Sequence, residues 1–340
     1  MKDLLKQIIL LITISLIACD NNTEVNNSKT EGNEETIIVE KEKQKHNIDI
    51  DSLNKEIRKL SESKDELRKN LEFAGSNIYS IIKQSFLDHI IIGSNDLSNS
   101  ELFFNKALGF SVKKGDPHKN GINNLFIEFT DSSEIEILSV DTPTDQLAKT
   151  YKTQLDNNKF GLQFAIRVNS IDQLTNNFIS ISSKYSTLIN QNNYSSLSKN
   201  NTSEDFPFFF IQYENNPTGN VKHDNKTSGI SSVWLSTPNI RQSIIQYSDF
   251  GFSLIDTLTV ADIDNKTASM KNDNFEIILI EDNNYAITGV TIKTNFIDNM
   301  QEMLIEYLKE DVRIINNKRG KSIYLSPHVT NSIWFEFLEN

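Results

Sequence analysis

The spacing of apolar residues changes along the 340-residue chain, and each spacing predicts a different element. From Ser52 to about Glu72, apolar residues recur at alternating gaps of three and four, with one interruption at Lys64. That spacing is typical of the apolar face of an amphipathic helix or of a short coiled coil. We therefore predict a helix over residues 52–72 within a spacer of residues 51–84. It either lies on the following domain or joins copies of the chain.

Beyond residue 85 the apolar pattern repeats four times. Each repeat begins with a short apolar strand, continues through a polar turn into an amphipathic helix, and ends in further strands, so that each predicts a βαβββ module. The predicted modules cover residues 86–140, 161–214, 229–281 and 286–339. Four modules of one helix and four strands each predict a fold of the α+β class.

Modules one and three are the most alike. The Gly-Phe-Ser sequence that begins at Gly109 recurs at Gly251, and comparison of the final strands aligns Glu136 with Glu276. Modules two and four match more loosely, although both open and close with apolar strands. The repeat therefore predicts four copies of one folding unit.

The N-terminus has the three-part layout of a secretory signal, in which Lys2 and Lys6 precede an apolar run that ends at Ala18. This run is shorter than the roughly 20 apolar residues that cross a bilayer as a helix. The sequence Leu-Ile-Ala-Cys that ends at Cys19 resembles the bacterial lipobox. The resemblance implies that residues 1–18 are a cleaved signal peptide and that Cys19 receives acyl chains such as palmitate.

Residues 19–50 are polar and charged, without apolar periodicity, and so predict a disordered tether. The formal charge of the chain is -12, and no basic stripe offsets it, which excludes nucleic acid as a partner. Cys19 is the single cysteine, so an intramolecular disulfide is excluded as well. Together these features predict a protein of the bacterial cell envelope, whose membrane partner is lipid at Cys19 and whose soluble domain lies outside the cytoplasm.

Three stretches of the repeat region resemble a known family. They are the opening Leu-Asp-His-Ile from Leu87, the run Gly-Asp-Pro-His-Lys-Asn-Gly-Ile-Asn-Asn from Gly115, and the strand Pro-Phe-Phe-Phe-Ile from Pro207 that leads to His223 and Gly229. In this order, they are similar to the glyoxalase-like domain proteins of the vicinal oxygen chelate superfamily.

The family resemblance covers about residues 86–339 and implies how the modules assemble. Two βαβββ modules would pair into a curved sheet around a cavity. The first pair would occupy residues 85–214 and the second pair residues 229–340. In such folds, metal ligands project from the first and last strand of each module.

The family pattern assigns four candidate metal ligands to each pair. In the first pair they are His89, Glu136, Gln163 and Gln212. This set offers one imidazole, one carboxylate and two amides, which is poorer than two histidines and a carboxylate, so a divalent metal there remains an open hypothesis. In the second pair they are Ser232, Glu276, Gly289 and Glu336. Because glycine has no side-chain ligand and serine is a weak one, we expect no metal there.

His89 and Glu136 are also the candidate catalytic residues. A carboxylate between isoleucines needs a partner or a raised pKa, whereas a histidine at the start of an apolar strand is often satisfied by a neighbouring backbone group. His118, Asn124 and His223 are candidate ligand-binding residues of the loops, with a solvated role as the alternative reading.

Three functions remain open. A metal-free cavity could bind a small molecule, and the weak ligand set favours this hypothesis. With a divalent metal, the resemblance implies lyase, isomerase or dioxygenase chemistry, in which the ion stabilises an enolate and Glu136 moves a proton. In the third hypothesis the protein is a structural or interaction lipoprotein that uses the helix of residues 52–72.

Overall fold

The computed structural model describes residues 50–180, 185–191, 193–199, 207–257, 260, 263, 265–309 and 311–339. The predicted signal peptide, the lipidation site Cys19 and the tether up to residue 49 lie outside the described residues. The chain divides into two compact units, residues 1–71 and residues 72–340. The first helix, α1, is Ile50–Lys83 and crosses from one unit into the other.

Helix α1 continues beyond the predicted end at Glu72, and its last turns, from residue 72 onward, belong to the second unit and pack within it. Ala74, Ile78 and Ile82 are buried there. The amide of Asn272 donates hydrogen bonds to the carbonyl oxygens of Ile82, at 3.0 Å, and Ser85, at 3.1 Å. Because the carbonyls at the end of a helix have no partners within the helix, this side chain stabilises the end of α1. Self-association through residues 52–72 stays a prediction.

Each module contains the strands and the helix that its pattern predicts. Module one comprises β1 (Phe86–Gly93), α2 (Leu97–Leu102, continued by a π-helical turn at Phe103–Ala107), β2 (Lys113–Lys114), β3 (Ile122–Glu128) and β4 (Glu134–Val140). Helix α3 (Gln146–Asp156) follows it. Module two comprises β5 (Gly161–Arg167), α4 (Ile171–Ser180), β6 (Tyr185–Asn190), β7 (Tyr194–Lys199) and β8 (Phe208–Tyr213).

The second module pair repeats this arrangement. Module three comprises β9 (Thr227–Thr237), α5 (Ile240–Asp249), β10 (Ser253–Asp256), β11 (Thr267–Lys271) and β12 (Glu276–Glu281). Module four comprises β13 (Ala286–Thr294), α6 (Ile297–Leu308), β14 (Ile315–Asn317), β15 (Gly320–Leu325), the short helix α7 (Pro327–Thr330) and β16 (Trp334–Glu339).

The helix starts of modules one and three also repeat. Asp96 accepts a hydrogen bond from the backbone amide of Asn99, and Asn239 accepts one from that of Gln242, both at 3.0 Å. A side-chain oxygen at this position satisfies an amide that has no partner within the helix, and so fixes where the helix begins. Modules one and three therefore also share the side-chain hydrogen bond that caps the start of their helix.

The strands form two eight-stranded sheets of identical order. Sheet 1 runs β2-β3-β4-β1-β5-β8-β7-β6, and sheet 2 runs β10-β11-β12-β9-β13-β16-β15-β14. In each sheet the first and last strand of a module pair in parallel, and the first strands of the two modules pair antiparallel. The predicted α+β fold of four modules in two paired sheets is confirmed.

The two faces of sheet 1 have different partners. On the outer face Ile90, Ile92, Ile135, Ile137 and Phe164 join the large core, which also contains Phe104, Leu174, Tyr247 and Met300. On the opposite face, here called the inner face, Ile91, Leu138 and Val140 pack against α3 through Ala148, Tyr151 and Leu155. The inner face of sheet 2 carries a cluster of Trp234, Ile278, Ile280 and Val260, with Tyr324 and Trp334 against it. Apolar side chains thus fill part of each inner face.

None of the helices in the described residues is both long enough and apolar enough to cross a membrane.

Candidate functional site

Four residues lie side by side across the centre of sheet 1, on its inner face. The strand register places His89 of β1 beside Glu134 of β4 and beside Ala165 of β5, and it places Ala165 beside Phe209 of β8. Directly paired residues project from the same face of a sheet. We call these four residues inner row 1.

Sheet 2 has an equivalent row, inner row 2. Ser232 of β9 lies beside Glu276 of β12 and Thr291 of β13, and Thr291 lies beside Glu336 of β16. By register, Glu134 is therefore the counterpart of Glu276, and the predicted alignment of Glu136 with Glu276 is wrong. A shift of two residues keeps the same face of a strand, so the alternation of apolar and polar residues could not distinguish the two registers.

His89 is paired with a carboxylate in the row of sheet 1. It is only 9% exposed, and its Nδ1 lies 2.7 Å from Oδ1 of Asp88. A bulge in β1 between Leu87 and His89 interrupts the register at Asp88. Arg167 donates to Oδ2 of Asp88 at 2.5 Å, and the Tyr213 hydroxyl donates to its Oδ1 at 2.9 Å. The buried carboxylate therefore has a partner for each oxygen.

The charges around His89 favour its protonated form. Burial alone would lower the pKa of His89, but the hydrogen bond and charge of Asp88, with the charges of Glu136 and Glu134, raise it above its usual value. Burial alone would raise the pKa of Asp88, but His89 and Arg167 lower it. The two residues form an imidazolium–carboxylate pair.

Glu134 is the residue of this row that sequence reasoning missed. Burial, the largest cause, raises its pKa to about 7, although the charge of His89 opposes the shift. This carboxyl group therefore exchanges its proton near neutral pH beside an imidazolium. The sequence did contain a signal for Glu134. Glu134 and Glu136 are separated by Ile135, so both glutamates lie on the same face of the strand.

The predicted residues Glu136, Asn124 and His118 come together next to the row. Nδ2 of Asn124 donates to Oε1 of Glu136 at 3.0 Å and lies 3.2 Å from Nε2 of His118. The Oδ1 atom of Asn124 is buried without a hydrogen-bond partner. Gly115 makes room for this amide, because a Cβ at that position would lie 1.9 Å from Oδ1 of Asn124.

The two predicted glutamine ligands have other partners. Gln163 lies beside Ile91, and its Oε1 accepts a hydrogen bond from the Tyr151 hydroxyl at 2.7 Å. Oε1 of Gln212 accepts one from the backbone amide of Ile171 at 2.7 Å, at the start of α4. Gln212 therefore does not join the row, and the position assigned to it is occupied by Phe209.

His223 also lies apart from the row. Its Nδ1 accepts a hydrogen bond from the backbone amide of Ser111 at 3.0 Å, and its ring lies 5.2 Å from those of Phe110 and Phe129. Burial lowers its pKa, so the neutral form is favoured in the core. The structure brings together His89, Glu136, Asn124 and His118, but not Gln212 or His223.

Inner row 2 contains a cation of the protein itself. Arg319, in the turn between β14 and β15, has Nη1 2.7 Å from Oε2 of Glu336 and Nη2 3.2 Å from Oε2 of Glu276. Glu336 is fully buried and also accepts hydrogen bonds from the hydroxyls of Thr291, at 2.6 Å, and Ser322, at 2.7 Å. One guanidinium thus lies between both carboxylates of the row.

The two rows do not fit a divalent metal ion. Such an ion needs several converging, deprotonated oxygen or nitrogen donors. In row 1, Ala165 and Phe209 supply no donor, and Nδ1 of His89 is already hydrogen-bonded to Asp88. In row 2 the carboxylates already face Arg319. Across the residues that the structure describes, no three His, Cys, Asp or Glu side chains converge in a group that could hold a metal.

Two cavities lie away from the rows. A cavity of about 270 Å³ lies where the starts of β5 and β13 meet, with Phe160, Leu162, Ile287 and Trp334 among its lining residues. A cavity of about 480 Å³ lies beside α3, with Asn123, Asp141, Lys152 and Leu155 among its lining residues. Neither is lined by His89 or Glu134.

Comparison with known proteins identifies the fold. Residues 87–251 match the family model described as a glyoxalase-like domain, whereas no curated protein sequence matches the chain. Among solved structures, the chain is similar to the Mn(II)-bound glyoxalase from Novosphingobium aromaticivorans, with 11% identity, a TM-score of 0.53, and coverage of 75% of this chain and 81% of that one.

Two dioxygenases have a similar fold. The 2,3-dioxygenase LapB from Pseudomonas sp. KL28 shares 14% identity at a TM-score of 0.52, over 75% of this chain and 92% of that one. Homoprotocatechuate 2,3-dioxygenase from Arthrobacter globiformis shares 15% identity at a TM-score of 0.52, over 75% and 79%. Residues 87–251 therefore match a glyoxalase-like domain, and the chain has the vicinal oxygen chelate fold.

Proposed function

We propose that this protein binds a small organic molecule at inner row 1 and does so without a divalent metal. One observation carries the metal-free part of the proposal: neither row has a converging set of free metal donors, because Ala165 and Phe209 of row 1 offer none and Arg319 lies between the carboxylates of row 2. A metal ion beside Arg319 would be repelled. The glyoxalase of similar fold holds Mn(II), whereas we propose that the present chain binds its ligand without a divalent metal.

The groups around row 1 suggest the polar part of the ligand. Nδ1 of His89 is held by Asp88, so Nε2 is the ring nitrogen left to donate a hydrogen bond to a ligand oxygen. Glu134 and Glu136 supply carboxyl oxygens that accept hydrogen bonds. An amide group matches both requirements, because its carbonyl accepts and its NH₂ donates. A carboxylate matches less well, since two glutamates lie nearby.

Aromatic side chains suggest the apolar part of the ligand. The ring of Phe209 lies 5.5 Å from that of His89, edge to face. Phe126 of β3 is half-buried and lies beside Glu136 in the register. Rings of this kind pack against aromatic ligands. The ligand class that we propose is therefore a small aromatic amide.

Calorimetric titration of the purified full-length chain with benzamide tests this function. We expect binding that His89→Ala weakens about tenfold, which corresponds to loss of one hydrogen bond from a charged donor. Benzoate should bind more weakly than benzamide. The matched control is His328→Ala, because His328 is exposed on α7.

The proposal would be abandoned if benzamide failed to bind, or if His89→Ala and His328→Ala had the same affinity. Glu134→Gln serves as a second variant should His89→Ala fold poorly. It keeps the size of the side chain but removes the carboxylate, so it should weaken benzamide more than His328→Ala does.

We further propose that the protein is a lipoprotein of the bacterial cell envelope, anchored through Cys19. The support comes from the sequence alone, namely the basic start, the short apolar run and the lipobox-like residues before Cys19. Several acyl chains would be needed for stable attachment, because one chain binds membranes only marginally. In this arrangement the ligand would be taken up outside the cytoplasm.

A further inference from the structure

Asp88, which holds Nδ1 of His89, is itself held by two side chains of module two. Arg167 ends β5 and Tyr213 ends β8, whereas Asp88 belongs to β1 of module one. Nε of Arg167 donates to Oδ2 of Asp88 at 2.5 Å, and the Tyr213 hydroxyl donates to Oδ1 at 2.9 Å. Because Asp88 is buried, water competes little for these bonds. Module two therefore fixes a carboxylate of module one.

The contact between Asp88 and His89 depends on a distortion of β1. Adjacent side chains of a regular strand project to opposite faces of the sheet. The bulge between Leu87 and His89 interrupts this alternation, and Nδ1 of His89 lies 2.7 Å from Oδ1 of Asp88. A bulge of this kind re-aims a side chain, and bulges are common beside active sites. The ring of His89 therefore follows the position of the Asp88 carboxylate.

The guanidinium of Arg167 has a second anchor. Its Nη2 donates to the backbone carbonyl oxygen of Ser132 at 2.6 Å, and its central carbon lies 5.6 Å from the centre of the Tyr213 ring. A planar guanidinium presents its donors in a rigid fork, so it holds two acceptors at a fixed separation. The Arg167 side chain therefore cannot turn away from Asp88 without also breaking the bond to Ser132.

The Tyr213 hydroxyl acts as a hydrogen-bond donor. Burial, the largest cause, raises the pKa of Tyr213 above its usual value, and the charge of Asp88 raises it further. The phenol therefore keeps its proton and donates to Oδ1 of Asp88, the oxygen that also lies next to Nδ1 of His89. Since two donors share this oxygen, loss of the hydroxyl would free the carboxylate to rotate and the imidazole ring to follow it.

We propose that Arg167 and Tyr213 are positioning residues of inner row 1, which act through Asp88 to hold the His89 ring with Nε2 free for the ligand. The hydrogen bond at one ring nitrogen determines what the other nitrogen can offer. The effect on a ligand rests on the function proposed above, whereas the effect on the His89 ring does not. Row 1 thus depends on two side chains outside it.

Proton NMR of the purified full-length chain tests the effect on the ring. A ring N–H bound to a buried carboxylate is protected from exchange with water, and the absence of its signal in His89→Ala assigns it. Tyr213→Phe should speed this exchange about fivefold, which corresponds to loss of one hydrogen bond. Arg167→Lys keeps the charge but loses the fork, and should speed the exchange as well. The matched control is Tyr194→Phe, which removes the same hydroxyl from the exposed residue that pairs with Tyr213 on β7, and should leave the exchange unchanged.

A double-mutant cycle with benzamide tests the effect on the ligand. Tyr213→Phe should weaken benzamide about fivefold in the wild-type chain but leave its affinity unchanged in His89→Ala, because a positioning residue acts only through His89. A merely structural role would weaken benzamide by the same factor in both chains. Arg167→Lys serves in both measurements should Tyr213→Phe fold poorly.

Three results would overturn this inference: no protected ring proton in the wild type, equal exchange rates in Tyr213→Phe and Tyr194→Phe, or equal loss of benzamide affinity with and without His89. If benzamide does not bind the wild-type chain, the proposed function fails, and the exchange rates still decide the role of Arg167 and Tyr213.

Discussion

Arg319 and His89 each lie beside the carboxylates of one row, but their charges arise differently. The guanidinium of an arginine stays charged at all physiological pH values. The charge of His89 instead depends on Asp88, 2.7 Å from Nδ1, and on the glutamates nearby. Row 2 thus holds a permanent cation between its two carboxylates, whereas row 1 holds groups that titrate. Ligand binding is therefore assigned to row 1, and a structural role to row 2.

Replacing Arg319 by methionine should lower the free energy of unfolding by roughly 3–5 kcal/mol, because Glu276 and Glu336 would stay in the row without a cation. Chemical denaturation of the two chains measures the difference. The triple variant Arg319→Met, Glu276→Gln, Glu336→Gln should recover much of the loss. A single variant as stable as the wild type would show that the guanidinium does not stabilise the two carboxylates.

Glu134 should make stability depend on pH. The pKa of Glu134 is raised from 4.5 to about 7 in the folded chain. Its contribution to the free energy of unfolding is therefore full below about pH 4.5 and is lost as the pH rises through about 7. A shift of this size corresponds to about 3 kcal/mol. The raised pKa of His89 also makes stability fall as the pH rises above the usual pKa of histidine. The lowered pKa of His223 has the opposite effect, so that its contribution makes stability rise with pH.

The difference in the free energy of unfolding between Glu134→Gln and wild type isolates the effect of Glu134. The variant should gain stability relative to wild type as the pH rises from about 5 to about 8, because its amide never ionises. Denaturant unfolding at several pH values measures the gain. Glu306→Gln, an exposed change on α6, is the control and should show none. A constant difference across this range would contradict the role given to Glu134.

At the scale of elements, apolar spacing predicted the modules well. Strands such as β12, with its run of buried residues from Ile277 to Ile280, follow from composition and length. The start of α5 follows from Asn239, whose side chain caps it. Signals of this kind lie within the segment itself, so the module bounds needed little beyond them.

The partners of the site residues could not be predicted in the same way. The family resemblance assigned Gln212 as a candidate metal ligand, but its side chain accepts a hydrogen bond from the first turn of α4. Phe209 occupies the position instead, three residues earlier. A strand register depends on pairing between segments far apart in sequence, which local spacing does not encode. Arg319 was missed because it comes from a turn and not from a strand.

At the scale of the whole second unit, two sheets of identical order carry different chemistry. Row 1 combines His89 with Glu134, while row 2 places Arg319 between two carboxylates. The repeat was visible in the sequence, but the cavity where β5 and β13 meet was not, because it depends on how closely Gly161 approaches Ile287. A shared fold does not determine activity, so function must follow from these particular residues.

Counting bound Mn²⁺ by electron paramagnetic resonance, on the purified full-length chain, most directly tests whether protein cations have replaced a metal. We predict no stoichiometric binding at either row, and no difference in Mn²⁺ binding between wild type, Glu134→Gln, Glu276→Gln and the exposed control Glu306→Gln. Binding of about one ion per chain that either row variant abolished, while the control kept it, would contradict the metal-free site.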